Sequence, residues 1–505
     1  MLFNSNLFIF IFLPITFILY HLLNYYKQIN LAKVFMIFAS FIFYAYFKYS
    51  LVFILIAYIL INYSFYYLLM RYKSKLLLSL GIGLNLSILG YFKYKYFIID
   101  NINNILSLDI INPTILLPLG ISFITFQQIA FLSDCYKYQR DIKTLVGGGV
   151  VGFINFSLFV SFFPQLIAGP IVHYKEMMPQ FINPNNFIVR YKNIALGLLF
   201  FVIGLFKKVA LADYLAPSID ATYKFVESGG VLNLIESWVL THAYTSQLYF
   251  DFSGYCDMAI GLALFFNIKL PYNFNSPYKS LSISEFWQRW HISLGRFLKD
   301  YIYIPLGGSR VGKSRQYINL FIVFLISGIW HGAGWGFIVW GSLHGIAICI
   351  HKAYMSVFAN VNLFKNRLNY KLYKVIMWII TFEFINITWV FFRATSINDA
   401  LSVVKSMFLL HGQIVLSPNM QRLFKDNSLF SFGKWGDHFT IGQSTMLNVV
   451  LLMMVFVLVF RASQINIYQK FILKDRYFIF IGLILLWSIL QINVTPYTKF
   501  IYFNF

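Results

Sequence analysis

His331 stands in Ser327-Gly328-Ile329-Trp330-His331-Gly332-Ala333-Gly334-Trp335-Gly336, within a stretch (residues 316–351) that has no charged side chain and also holds His344. A neutral imidazole in such surroundings can take the proton of an attacking hydroxyl. Gly328, Gly332 and Gly336 recur at steps of four, which on one helix would make a smooth stripe where a backbone or a substrate comes close. The alternative is a buried histidine bonded to a neighbouring helix. His291 follows Trp290; it either lines the same cavity or orients a loop. Gln247-Leu248-Tyr249-Phe250-Asp251-Phe252-Ser253-Gly254-Tyr255-Cys256-Asp257 sets two acids among aromatics. Asp251 or Asp257 either orients a histidine or pairs with Arg289 or Arg296 at a helix break. Cys135, Cys256 and Cys349 lie too far apart for a metal or disulfide framework, and no metal is expected.

The elements that must position these groups are set by composition. Of 505 residues, 59% are hydrophobic and 11% charged. So apolar a chain needs lipid as its main solvent, which excludes a soluble enzyme and a disulfide-built secreted scaffold. Uncharged runs at 1–26, 49–70, 110–133, 144–174, 316–351, 438–460 and 477–498 reach the ~20 residues a helix needs to span a bilayer. With shorter runs they predict an all-α integral membrane protein of ten to twelve crossings; segments this long and unalternating exclude a β-barrel. The net charge is +22. Its lysines and arginines sit between apolar runs and read as cytoplasmic anchors, not as a nucleic-acid surface. The uncharged residues 1–26, followed by Lys27 and Lys33, place the N-terminus outside as a retained first helix; Arg71, Lys73, Lys75, Lys137, Arg140 and Lys143 fall inside, as do Arg461, Lys470, Lys474 and Arg476, and the C-terminus falls outside.

Residues 269–315 carry eight basic side chains (Lys269, Lys279, Arg289, Arg296, Lys299, Arg310, Lys313 and Arg315), with Lys207 and Lys208 as a further basic spot. Ser282 and Glu285 have capping-box spacing. Trp287, His291, Leu294, Leu298 and Tyr301 then repeat at helical steps, predicting one amphipathic helix at the cytoplasmic interface, in contact with membrane lipids. Pro118-Leu119-Gly120-Ile121-Ser122-Phe123 and Phe163-Pro164-Gln165-Leu166-Ile167-Ala168-Gly169-Pro170 interrupt apolar runs. Broken backbone at that depth is tolerated only inside protein or beside a cavity, so re-entrant segments and a central tunnel are expected. Residues 408–445 read as an external loop.

Together these stretches resemble the membrane-bound O-acyltransferase superfamily, in particular its AlgI and PatA group of polysaccharide O-acetyltransferases. The resemblance is carried by Leu117-Pro118-Leu119-Gly120-Ile121-Ser122-Phe123, the 163–170 stretch, Tyr249-Phe250-Asp251-Phe252-Ser253-Gly254-Tyr255, Phe286-Trp287-Gln288-Arg289-Trp290-His291-Ile292-Ser293-Leu294, Tyr303-Ile304-Pro305-Leu306-Gly307-Gly308-Ser309-Arg310, Trp330-His331-Gly332 and Trp389-Val390-Phe391-Phe392-Arg393-Ala394. It implies a helical bundle with a central tunnel, in which His331 matches the catalytic histidine and His291 the second family histidine. Residues 1–110 would be N-terminal transmembrane helices, 111–395 the catalytic core, and 396–505 a C-terminal loop and helices. The chain end, Phe500-Ile501-Tyr502-Phe503-Asn504-Phe505, resembles the terminal aromatic motif of such systems, which implies that Tyr502 carries the acyl group. Trp330, Asp251, Arg289, Trp290 and Arg296 are expected to bind substrate, the arginines by drawing in the donor's phosphates.

The implied activity moves acetyl from a cytoplasmic thioester, acetyl-CoA with no tightly bound cofactor, to hydroxyls of peptidoglycan, alginate or another exopolysaccharide outside a bacterial inner membrane. The partner would be a periplasmic SGNH-like acetyltransferase. A transporter or flippase for an envelope precursor is the competing class.

Overall fold

The computed structural model describes residues 1–113, 115–358, 367–410, 414–416, 430–432, 436–437, 439–440, 442–459, 475–494 and 500–501. Tyr502, the basic residues Arg461, Lys470 and Lys474, and most of the 408–445 loop lie outside the described residues. Helices α1 (Leu13–Tyr25), α2 (Ile29–Ala45), α3 (Ser50–Tyr72) and α4 (Lys75–Leu89) lead through a wide π-turn (Gly90–Tyr94) into α5 (Lys95–Leu106). Then come α6 (Ile121–Lys137), α7 (Gln139–Val146), α8 (Gly149–Ser161), the single turn α9 (Phe163–Leu166) and α10 (Tyr174–Ile182). The central helices are α11 (Tyr191–Phe206), α12 (Asp213–Glu227) and α13 (Leu234–Phe265), followed by the short α14 (Ile283–Arg289) and α15 (Ile292–Leu298). The rest are α16 (Lys313–His331), α17 (Trp335–Phe358), α18 (Arg367–Arg393), α19 (Ile397–Met407), α20 (Gln443–Val459) and α21 (Asp475–Val494). Between α19 and α20, β1 (Ile414–Leu416) pairs in parallel with β2 (Phe430–Phe432).

Among the described residues, six helical stretches are long and apolar enough to cross a membrane, or seven if α7 and α8, which meet at 96°, count as one span. That is fewer than the ten to twelve expected, because uncharged runs do not map one-to-one onto helices. The 110–133 run is helical only from Ile121. The 144–174 run breaks at Phe162 and again after Leu166. Helix α2 and the apolar parts of α20 and α21 are shorter.

The core is built around α13, 32 residues long and buried along almost its whole length. Its start is fixed by a capping box, Asn233 with Glu236. The sequence suggested a break near Gly254, but the helix runs through it. Gly254 and Gly261 instead face Gly204 and Gly197 of α11: a Cβ at Gly204 would lie 2.7 Å from the Met258 nitrogen, and one at Gly197 would lie 2.7 Å from the Gly261 carbonyl. Two glycine pairs seven residues apart let the backbones touch, as small residues do between membrane helices.

The two interrupted segments meet each other. Gly120 has φ +71°, and a Cβ there would sit 2.7 Å from the Leu166 carbonyl and 2.8 Å from that of Ile167. Only glycine fits both the left-handed backbone and the close approach. Helix α6 starts immediately after it.

Candidate active site

His331 is the last residue of α16, and its ring Nδ1 lies 2.6 Å from the Ser327 carbonyl. A carbonyl can only accept, so Nδ1 carries the proton and the lone pair is on Nε2. The ring is 3% exposed and is walled by Trp330, Trp340 and Phe392, at centroid distances of 4.9, 4.9 and 5.5 Å. The glycine stripe is not on one helix. Gly328 closes α16 against Gly341 of α17, Gly332 is extended, and Gly336 begins α17 against the Phe391 carbonyl. The glycines pack α16, α17 and α18 together around His331.

The predicted single helix over 282–301 is two short ones. It breaks at His291, which has φ +45° and starts α15. The break is held by the loop before α14: the Asn275 amide donates to the Arg289 carbonyl at 2.9 Å, the Ile292 amide to the Asn273 carbonyl at 3.1 Å, and the Ser293 amide to Asn273 Oδ1 at 3.1 Å. A histidine in left-handed backbone is a local strain that the surroundings must over-determine, a feature that clusters at functional sites. It brings the fully buried His291 ring to 6.5 Å from that of His331, across 40 positions of sequence, with Phe252 of α13 at 4.8 Å and Phe123 at 6.3 Å.

His344 is a structural member of the same aromatic wall. Trp287 Nε1 donates to its Nδ1 at 3.2 Å, which leaves the proton on Nε2, 3.0 Å from Thr388 Oγ1.

Asp251 and Asp257 pair with neither Arg289 nor Arg296. Asp257 meets Lys207 at 2.6 Å, and Asp251 meets Lys208 at 2.7 Å, with Asp213 also on Lys208 at 2.6 Å. The α11–α13 glycine contact ends where these lysines begin, which delivers them to the carboxylates in a dry interior. The other oxygen of Asp251 accepts the Ile501 amide at 2.9 Å. Phe500 stacks on Tyr255 at 4.6 Å and lies 6.1 Å from Phe252, the ring that also contacts His291.

Arg289 bonds Glu285 at 2.7 Å and the Asn275 carbonyl at 3.1 Å. Trp290 is buried among Phe274, Phe286, Tyr278 and Trp389 as part of the core. Trp330 lies over Phe126 at 5.0 Å and beside His331. Arg296 pairs with Glu176 and lines a cavity of about 370 Å³ with Lys137, Lys175, Asp134, His173 and Tyr301.

The cavity's inner wall was not foreseen from the sequence. His173 Nδ1 is 3.1 Å from the Tyr301 hydroxyl, which also bonds Asp134. Burial, with the Arg296 and Lys175 cations close by, pushes His173 down to about 4, so its ring is neutral at physiological pH. Next to it in the chain, Ile171 and Val172 edge a small void of about 10 Å³ that ends on Phe123, the ring beside His291. The large cavity's lining does not include His331. Lys93 and Tyr94 were also missed. Lys93 marked the end of an apolar run, yet it is buried and donates to the Trp330 carbonyl at 2.5 Å, the His331 carbonyl at 3.1 Å and Ser122 Oγ at 3.4 Å. Tyr94 donates to the Ile329 carbonyl at 2.6 Å. Among the described residues no group of three His, Cys, Asp or Glu could hold a metal ion.

A buried histidine pair, its rings 6.5 Å apart, in a multi-pass helical fold suits acyl transfer. The membrane-bound O-acyltransferase family model matches residues 96–392. The chain belongs to that family and is an O-acyltransferase. It is 47% identical to the peptidoglycan O-acetyltransferase of Helicobacter pylori over 82% of this chain and 80% of the relative. It is 37% identical to the probable alginate O-acetylase AlgI of Pseudomonas aeruginosa, over 81% and 75%. A more distant match, 29% identical over 48% of this chain and 59% of the relative, is the teichoic acid D-alanyltransferase of Streptococcus thermophilus.

Proposed function

We propose that the protein sits in a bacterial inner membrane and passes acetyl from a cytoplasmic thioester of the acetyl-CoA class to hydroxyls of an extracytoplasmic polysaccharide, through an ester on Tyr502. Peptidoglycan is the favoured polymer, since its name is carried by a relative at 47% identity against 37% for the alginate relative. In the first step His331 Nε2 takes the Tyr502 hydroxyl proton as the phenol oxygen attacks the thioester carbonyl. The C–S bond breaks, and the thiolate takes the proton from His331. In the second step a carbohydrate hydroxyl attacks the tyrosyl ester and its proton returns to the phenol oxygen. A phenol, with a pKa near about 10, leaves more readily than a sugar alkoxide and less readily than a thiolate, so both steps run downhill. His291 borders the reacting groups. Lys137, Lys175 and Arg296 draw in the donor's phosphates. A periplasmic SGNH-like acetyltransferase delivers the polymer's hydroxyl to that ester, a role that a soluble glycan acceptor bypasses in vitro.

The observation that carries this reading is the anchored chain end. Asp251 holds the Ile501 amide, one residue before Tyr502, and Phe252 beside Asp251 contacts both Phe500 and His291. The test is purified protein with labelled acetyl-CoA and a soluble glycan acceptor. Label on Tyr502 in the wild type and its loss in Tyr502→Phe are expected. Full glycan acetylation by Tyr502→Phe would remove the relay, and glycan transport without ester formation would remove the enzyme assignment.

A further inference from the structure

The imidazole of His331 sits at the very end of its helix, where the last carbonyls have no amide to accept from. The Gly328 carbonyl is taken by the Gly332 amide at 3.4 Å. The next three carbonyls, those of Ile329, Trp330 and His331, are taken by two side chains of another helix: the Tyr94 hydroxyl at 2.6 Å, and the Lys93 ammonium at 2.5 and 3.1 Å. We propose that Lys93 and Tyr94 form a clamp that positions His331 for proton transfer, as positioning residues that touch no substrate. The inference rests on the proposed role of His331 as the base.

Three observations meet in it. First, Lys93 is 7% exposed, and its three N–H bonds match three acceptors: two helix carbonyls and Ser122 Oγ at 3.4 Å. A buried cation belongs at this end of a helix, where the dipole is negative. Second, the pair is presented by the π-turn Gly90–Tyr94, which joins α4 to α5. On a regular helix, adjacent side chains point about 100° apart. The extra residue of a π-turn widens the backbone, and here two consecutive side chains reach one helix end; such turns recur at functional sites. Third, the clamp joins the pieces around the base. Ser122 belongs to the broken segment after Gly120, and its carbonyl accepts from Trp330 Nε1 at 3.4 Å. Lys93 thereby ties the start of α6, the end of α16 and the π-turn at one point. Neither Lys93 nor Tyr94 falls within residues 96–392, which the family model matches.

The clamp's bonds to α16 go to backbone carbonyls. They fix the backbone that aims the ring, and their loss should tilt the imidazole while leaving donor binding intact. A misplacement of about 1 Å in catalytic geometry costs about 100-fold in rate. The experiment uses the full chain in detergent with labelled acetyl-CoA and a soluble glycan acceptor, comparing wild type, His331→Ala, Lys93→Met and Tyr94→Phe, with the thermal unfolding midpoint of each. Lys93→Met should lower kcat by about 100-fold, and Tyr94→Phe, which removes one bond, by a smaller factor, both with the KM for the thioester unchanged. Should Lys93→Met fail to fold, Tyr94→Phe decides alone. Wild-type kcat in the folded variants, or activity that falls only in proportion to lost folded protein, would overturn the clamp. Wild-type activity in His331→Ala would instead overturn the underlying mechanism, so the two failures are told apart.

Discussion

Asp251 shows how one carboxylate can serve two structural ends at once. One oxygen neutralises Lys208 in the interior, and the other accepts the Ile501 amide. Asp251→Asn keeps the shape and removes the charge, taking one of its carboxylates from Lys208. Breaking a buried pair costs about 3–5 kcal/mol. The expected outcome is a lower unfolding midpoint in detergent, together with loss of acetyl transfer to Tyr502. His173 gives a pH signature. Its folded value is about 4 against an ordinary 6.5. Between those values the unfolded chain binds a proton that the folded chain does not, so stability rises with pH across the window and is lost as pH falls through it. His173→Gln should flatten the stability profile between pH 4 and 6.5, as read by thermal unfolding across that range. At this scale the sequence showed the two histidines, because ionisable groups stand out against an apolar chain. It did not show the partners. Lys207, Lys208 and Lys93 read as interface anchors, the ordinary place for lysine in a membrane protein. They are buried because Asp257, Asp251 and the helix-end carbonyls of α16, remote in sequence, receive them, with nearby Asp213 also on Lys208.

The helices that carry these residues are positioned by glycine. Gly204 against Gly254, and Gly197 against Gly261, bring α11 onto α13; Gly328 against Gly341 does the same for α16 and α17. Gly204→Val would drive a branched side chain into the Gly254 carbonyl and the Met258 backbone. Overpacking of this kind costs about 1–3 kcal/mol, and more where the obstruction is backbone. A lower yield of folded protein and a lower unfolding midpoint are expected, while Gly83→Val, where nothing lies within 4 Å of a built Cβ, should be neutral. Helical character and the two broken segments were readable from uncharged runs and from Pro and Gly placement. The split at His291 was not. Its periodicity fits one helix, and only the pairing of residues 273–275 with 289–293 imposes the left-handed turn. The glycine stripe around His331 was likewise readable as close packing but not as the contact of three separate helices.

At the scale of the whole molecule, the polar cavity at Arg296 is separate from the histidine pair, which Phe252 links to Phe500 near the chain end. The proposed orientation, drawn from the charge pattern, would put the Lys137 side in the cytoplasm and the chain end outside. Arg296→Glu should raise the KM for acetyl-CoA with kcat little changed, and the effect of the charge reversal should shrink at high salt, because exposed charges are screened. A cysteine placed at Lys137 should react with membrane-impermeant maleimide only in inverted vesicles. Membrane class, helical fold and the region around the histidines were legible from composition and motif. The polar cavity was not, since Asp134, His173 with Glu176, and Arg296 with Tyr301 come from three separate stretches that only the fold collects.

The central claim is that His331 is the base for acyl transfer. The most direct measurement is peptide mass spectrometry of purified protein after a single addition of isotopically labelled acetyl-CoA, comparing wild type with a folded His331→Ala variant. The mechanism calls for labelled acetyl on Tyr502 in the wild type and none above background in His331→Ala. Equal labelling at equal rate in both proteins would contradict it.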